Sequence, residues 1–217
     1  MILLIQSGGF LMCGRFYVDE EQNEEFLGII RNLDARFSNQ AKITKGEVRP
    51  SNMAIVLTPS KIKSAPLPDS MRFGFASPKS QIINARSESA LQKPLFSSCV
   101  HNGRILIPAS GFYEWDHTTA HTKYYFSRID GKLMYIAGLC KICNDTECFV
   151  ILTTAANDSM KEIHSRMPLI LPDDKIDAWL YDEKEAIHLL SYQPEALKKT
   201  CVSPPSSYEQ MPLPFLS

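Results

Sequence analysis

Cys13 directly follows Met12, so removal of residues 1–12 would leave it as the first residue of the chain. An N-terminal cysteine carries a free α-amine and a thiol on adjacent carbons. The amine can capture an aldehyde as a Schiff base, and the sulfur can then close a five-membered thiazolidine. The amine suits that chemistry near neutral pH, because an α-amino group titrates at about 7.7–8.0 and a lysine near 10.4. As written, Cys13 stands behind twelve residues, and an amide nitrogen forms no Schiff base. The first expectation is a start assigned too far upstream, with Met12 the true first residue; the second is self-removal of a short propeptide. Residues 1–11 include apolar Ile2 to Ile5 but lack a positive leading segment, a long apolar run and a small-residue cleavage site. They do not read as a secretory signal. For a lone cysteine the ordinary reading is an apolar strand ending in a buried thiol.

Three further segments set polar groups among apolar neighbours: Asn84 to Glu88, Gly111 to Trp115, and His164 to Pro168. Each supplies a different chemistry: a neutral amide at Asn84, a carboxyl at Glu114 and an imidazole at His164. Arg15, Arg86 and Arg166 each stand two residues beyond Cys13, Asn84 or His164. In a strand that spacing puts both side chains on one face. Each residue also has a plain structural reading. Asparagine at a strand end bonds its own backbone, a histidine after a short helix satisfies the helix end, and the arginines pair with Glu88 or other carboxylates as bridges. Coincidence of four segments favours one composite site.

The elements that must position these groups are mostly strands. After Cys13 a short strand runs to Val18, and Asp19 is placed to cap a helix bearing Phe26, Leu27, Ile29 and Ile30. Strands are expected at Ala54 to Leu57, Met71 to Phe75, Ile82 to Asn84, Arg104 to Ile107, Lys123 to Ile129, Leu133 to Leu139 and Cys148 to Thr153, with Asp130 and Gly131 as a hairpin turn. Asn157 or Asp158 should cap a short helix through Ile163, Asp173 a second containing Ile176, Trp179 and Leu180, and a third should follow Asp182. Strands outnumber helices without alternating with them. That predicts an α+β single domain built on a curved or barrel-like, mostly antiparallel sheet with peripheral helices.

A chain of 217 residues with 44% hydrophobic content can bury a full core as one domain. Residues 1–11 read as leader or misassigned start, 12–203 as the domain and 204–217 as a proline-rich tail. The net charge of −1 leaves any nucleic-acid contact to a local patch. Six cysteines without a secretory signal predict reduced thiols and a cytoplasmic protein. Cys140, Cys143 and Cys148 invite a zinc reading, but a structural site wants four ligands and no fourth lies nearby in sequence. A hairpin turning at Asn144 and Asp145 is preferred, and no metal or other cofactor is expected. No apolar run approaches the ~18 residues of a membrane span, so a soluble protein is expected.

The stretches M-C-G-R-F from Met12, N-A-R-S-E from Asn84, I-P-A-S-G-F-Y-E-W from Ile107 and I-H-S-R-M-P from Ile163 occur in this order. Together they resemble the SOS-response-associated peptidase (SRAP) family, whose members crosslink to abasic sites in single-stranded DNA. Arg104, Ala137 to Leu139 and Thr153 to Ala155 also fit, so the resemblance runs from Met12 to about Val202. It implies a DNA-damage protein, a monomer, cytoplasmic and nucleoid-associated when bound, that forms a thiazolidine through Cys13. Glu114, desolvated by Phe112, Tyr113 and Trp115, would stay protonated as the acid. His164 would shuttle protons or hold the sugar hydroxyl, and Asn84 would orient the open-chain sugar or the amine. Arg15, Arg86 and Arg166 would grip flanking phosphates. Where the family usually has tryptophan before glycine, this chain has Phe73, which still offers an aromatic face to a base.

Two rival readings use the same residues. In one, Cys13 is a peptidase nucleophile with His164 as base and Glu114 or Asn84 as orienter, cutting off the leader. In the other, the arginines and aromatics bind single-stranded DNA without covalent chemistry.

Overall fold

The computed structural model describes residues 14–19, 24–37, 43–61, 65–77, 81–116 and 121–203. Cys13, the expected leader and the proline-rich tail lie outside them. The chain runs β1 (Arg15–Val18), α1 (Glu24–Phe37), β2 (Gly46–Val48), β3 (Met53–Thr58), β4 (Leu67–Phe73), β5 (Phe75–Ala76), β6 (Gln81–Ile82) and β7 (Asn84–Arg86). It continues through α2 (Pro94–Asn102), β8 (Arg104–Ala109), β9 (Gly111–Trp115), β10 (Lys123–Arg128), β11 (Met134–Cys143) and β12 (Thr146–Ala155). The last elements are β13 (Arg166–Pro168), β14 (Ile170–Leu171), α3 (Ile176–Tyr181), α4 (Glu183–Leu189) and β15 (Leu197–Ser203).

Five strands close on themselves. β12 lies parallel to β4, then β4–β3, β3–β8, β8–β11 and β11–β12 are antiparallel, completing a mixed barrel. Closure removes the exposed edges an open sheet would leave. Of the closed strands, β3, β8, β11 and β12 are mostly buried, and β8 is buried along its whole length, as expected for strands covered on both sides. β7 adds to β12 in parallel and β13 adds to it antiparallel, so the Asn84 and His164 segments meet the barrel along one strand.

A second sheet, in the order β15-β10-β9-β1-β2, packs on the barrel. Its inner face is Phe16, Val18, Val48, Phe112 and Phe126, all buried. Phe16 meets Phe73 of β4 edge to face at 5.7 Å, and Phe112 stacks on Phe126 at 5.3 Å. Arg104, placed by the sequence within the family resemblance, is a buried clamp. Its guanidinium donates to the carbonyls of Val100, His101 and Trp179, satisfying the ends of α2 and α3.

Several local expectations change. Asp130 and Gly131 form no hairpin turn: β10 pairs with β9 and β15, whereas β11 pairs in the barrel, so the chain crosses between sheets here. Arg128 holds the crossing by binding Asp130 and the Leu133 carbonyl. Asp173 does not cap α3; its carboxylate is taken by Arg128. Asn157 organises a turn by accepting from Ser159 N–H rather than opening a regular helix. The Asn144–Asp145 turn stands, with both residues at positive φ (48° and 59°), the left-handed pair that a two-residue hairpin needs.

Candidate active site

β1 and β9 form an antiparallel pair with Arg15 opposite Tyr113 and Phe16 opposite Phe112. One step further along that register places Gly14 opposite Glu114. Glu114 points inward and is only 4% exposed, on a strand whose alternate residues Tyr113 and Trp115 face outward. Gly14 also approaches the second segment: a Cβ built there would lie 3.5 Å from Ile83 Cδ1, the residue before Asn84. Asn84 opens β7 half-buried, opposite Ile151. The glycine bonded to Cys13 thus abuts both the Asn84 and the Glu114 segments.

His164 sits in the turn before β13, 8% exposed, its own N–H donating to the Met160 carbonyl. Its Nδ1 accepts from the Arg166 N–H at 3.0 Å. A nitrogen that accepts carries no hydrogen, so the ring proton resides on Nε2. The Arg166 side chain fixes this turn. Its guanidinium forms a bidentate pair with Glu88 at 2.6 and 2.8 Å and donates to the Thr153 carbonyl at 2.6 Å. Partial burial alone would raise the Glu88 carboxyl, but the Arg166 pair holds it below the ordinary carboxylate range. Contacts therefore join the four sequence segments in series: Glu114 segment to Gly14, Gly14 to the Asn84 segment, and Glu88 to Arg166.

The three arginines differ. Arg86 is exposed at the end of β7, near Glu88 in charge but without a hydrogen bond or ion pair among the described residues. Arg166 is the structural bridge to Glu88 that the sequence allowed as its plainer role. Arg15 lies with its guanidinium 4.8 Å from the centre of the Trp115 ring and 2.9 Å from Glu47. Phe73 is a correction: its ring is 0% exposed and stacked on Phe149 at 5.1 Å, so it is core, and no base can reach its face.

Sequence reasoning missed Glu47, Arg49 and Lys123. Glu47 takes hydrogen bonds from Arg15, Arg49 and Lys123, three cations on one carboxylate. The available signal was the i, i+2 spacing of Glu47 and Arg49, but their pairing with Lys123 joins strands 76 residues apart. Among the described residues no group of three His, Cys, Asp or Glu side chains could hold an ion. Burial pushes the Cys140 thiol up to about 12 and raises Cys99 and Cys148, which keeps them protonated and unreactive.

The family model for SOS response associated peptidase (SRAP) matches residues 12–205. The abasic site processing protein YoqW of Bacillus subtilis is 34% identical over 188 residues, covering 78% of this chain and 80% of that protein. YedK of Escherichia coli, named likewise, is 27% identical over 183 residues, 79% of this chain and 81% of that protein. In fold, the chain is similar to a crystal structure from Bordetella bronchiseptica at TM-score 0.69 and 23% identity, covering 88% of this chain and 100% of that one. A second, from Bacteroides thetaiotaomicron, gives TM-score 0.67 at 20% identity over 88% of this chain and 92% of that one. A family match over that length, with relatives above 30% identity across most of both sequences, places this chain in the SOS response associated peptidase (SRAP) family.

Proposed function

We propose that this protein processes abasic sites in single-stranded DNA by covalent capture through Cys13. The observation that carries the reading is the position of Gly14, bonded to Cys13, against both Ile83 beside Asn84 and the strand position opposite Glu114. Relatives named abasic site processing proteins support the substrate class.

An abasic deoxyribose is mostly a closed hemiacetal, and its aldehyde is released when a proton reaches the ring oxygen. Glu114, shielded from water, is the acid for that step. The Cys13 amine adds to the aldehyde carbon and water leaves, giving a Schiff base. The thiol sulfur then bonds to the same carbon and its proton passes to the nitrogen. The sum is one C–N bond, one C–S bond and one water released. His164, with hydrogen on Nε2, donates to a sugar oxygen, and Asn84 orients the open-chain sugar. Arg15, Arg86 and Arg166 line the phosphate path, Arg166 while also bridging Glu88. Removal of the carbonyl removes the group that drives β-elimination, so the lesion is shielded in a DNA-damage or SOS response. The Schiff-base intermediate also permits some lyase cleavage. The protein would act on the nucleoid, in the cytoplasm.

This chemistry requires Cys13 to be the first residue of the active form. A second reading is autoproteolysis with Cys13 as nucleophile, which would expose its amine by removing residues 1–12. Intact-mass measurement tests it: loss of residues 1–12 from the full chain, absent in Cys13→Ala, supports self-cleavage. For the main reading, chain beginning at Cys13 is mixed with an abasic single-stranded oligonucleotide and run on a denaturing gel. A shifted band is expected, and Cys13→Ala should lose it; no band with the unaltered chain overturns the reading.

A further inference from the structure

Asn84 and His164 belong to segments on opposite sides of one strand. Thr153 of β12 is paired with Arg86 of β7 and also with Pro168 of β13. A strand residue has one neighbour on each side, so β7 and β13 flank β12 at this point. Each of the two flanking strands is three residues long, and so short a strand has few ladder bonds to hold it. Fixing Asn84 and His164 relative to one another therefore takes a further contact that reaches across β12.

Glu88 supplies it. Alternation along the strands puts Asn84, Arg86, Thr153 and Arg166 on one face. On that face the Arg166 guanidinium passes over Thr153, donating to its carbonyl at 2.6 Å and to its hydroxyl oxygen at 3.4 Å. It ends in the bidentate pair with Glu88, just beyond β7. The turn Ser87–Ser89 has little else to hold it: neither serine hydroxyl has a hydrogen-bond partner among the described residues, and no side chain caps the turn. At the other end of the same arginine, the Arg166 N–H donates to His164 Nδ1 at 3.0 Å. Arg166 is the first residue of β13, and the Ala156 N–H beside it bonds the Ser165 carbonyl. The imidazole thus takes its hydrogen bond from the very end of a short strand, where backbone pairing alone constrains least.

We propose that Glu88 is a positioning residue of the capture site: by holding Arg166 across β12 it keeps His164 in one tautomer, with the proton on Nε2, and in fixed relation to Asn84. Glu88 touches no reacting atom and acts through the Arg166 backbone. A bridge that only stabilised the fold would make no demand on the imidazole. The kinetic consequence rests on the capture reading above, whereas the tautomer is a property of the protein alone.

The experiment compares chain beginning at Cys13 with its Glu88→Gln, Arg166→Lys and Asp173→Asn variants. Glu88→Gln keeps the shape and removes the charge, while Arg166→Lys keeps the charge and removes the two-pronged geometry. Asp173→Asn weakens the pair with Arg128, outside the four site segments, and is the control for lost stability alone. At mildly alkaline pH, where imidazole is neutral, heteronuclear NMR of the ring nitrogens reads the His164 tautomer. Capture of an abasic single-stranded oligonucleotide is timed on denaturing gels. The unaltered chain and Asp173→Asn are expected to carry the proton on Nε2 alone and to capture at equal rates. Glu88→Gln and Arg166→Lys should show both tautomers. Glu88→Gln should also capture roughly tenfold more slowly, short of the ~100-fold that a 1 Å misplacement costs. A single Nε2 tautomer in Glu88→Gln overturns the proposal, as does an unchanged capture rate in that variant or an equal slowing in Asp173→Asn. Should Glu88→Gln fail to fold, Arg166→Lys decides the tautomer by the same criterion. Absence of capture by the unaltered chain would instead fault the capture reading, while the tautomer series still decides the role of Glu88.

Discussion

The outer face of the second sheet and the β7–β12–β13 edge of the barrel both display arginines selected by the same two-residue spacing, and they use them oppositely. At the barrel edge Arg166 is matched to one carboxylate, Glu88, and to the Thr153 carbonyl, so charge is balanced and geometry is fixed. On the sheet, one carboxylate, Glu47, holds three cations, so geometry is fixed with positive charge left over. Balanced pairs build structure; an unbalanced cluster attracts an anion. Partial burial would raise the Glu47 carboxyl, but hydrogen bonds and charge from Lys123 and Arg15 hold it below the ordinary range.

The largest effect should separate the two regions cleanly. Arg166→Ala removes a bidentate pair and a carbonyl bond, and should cost about 1–2 kcal/mol of stability, a fall of roughly 2–8 °C in Tm by calorimetry. Arg15→Ala should leave Tm almost unchanged while weakening DNA binding; equal Tm losses in both would erase the contrast. Next, Glu47→Gln releases the three cations. Affinity for single-stranded DNA should rise a few-fold and its log–log salt slope steepen by up to about 0.7, and a weaker binder would contradict the surplus-charge reading.

The smallest effect is the pH dependence. Glu88 and Glu47 are both held below the ordinary glutamate value of 4.5 by their partners. Their contribution is therefore present above about pH 4.5 and lost as pH falls through the lowered folded values. Acid titration of Tm should show Glu88→Gln and the unaltered chain converging in that acid range. A difference that instead grew as pH fell would reverse the sign.

Much of this was legible in the sequence. Alternating and continuous apolar runs gave the strands, and Asn144–Asp145 gave the hairpin, because period-two patterns and turn residues are local signals. Closure of five strands into a barrel was not local: it depends on β12 lying beside β4, with Phe149 opposite Phe73. The same contact explains why Phe73, read as a base-stacking ring, is core. The chemical segments were visible because each packs several reactive types into a few residues. The Glu47 cluster was not, since its members come from β1, β2, the residue just past β2 and β10, and only the register unites the strands. The short helix α2 escaped because its start rests on Pro94 at the first turn rather than on a polar cap.

The most direct test of the aminothiol claim compares two chains of otherwise identical sequence, one beginning at Cys13 and one retaining residues 1–12 with its own cleavage blocked. Each is incubated with abasic oligonucleotide, and the products are weighed intact. The account predicts an adduct of protein plus DNA less one water for the chain beginning at Cys13, and none for the extended chain. Equal adduct formation by the extended chain would contradict it.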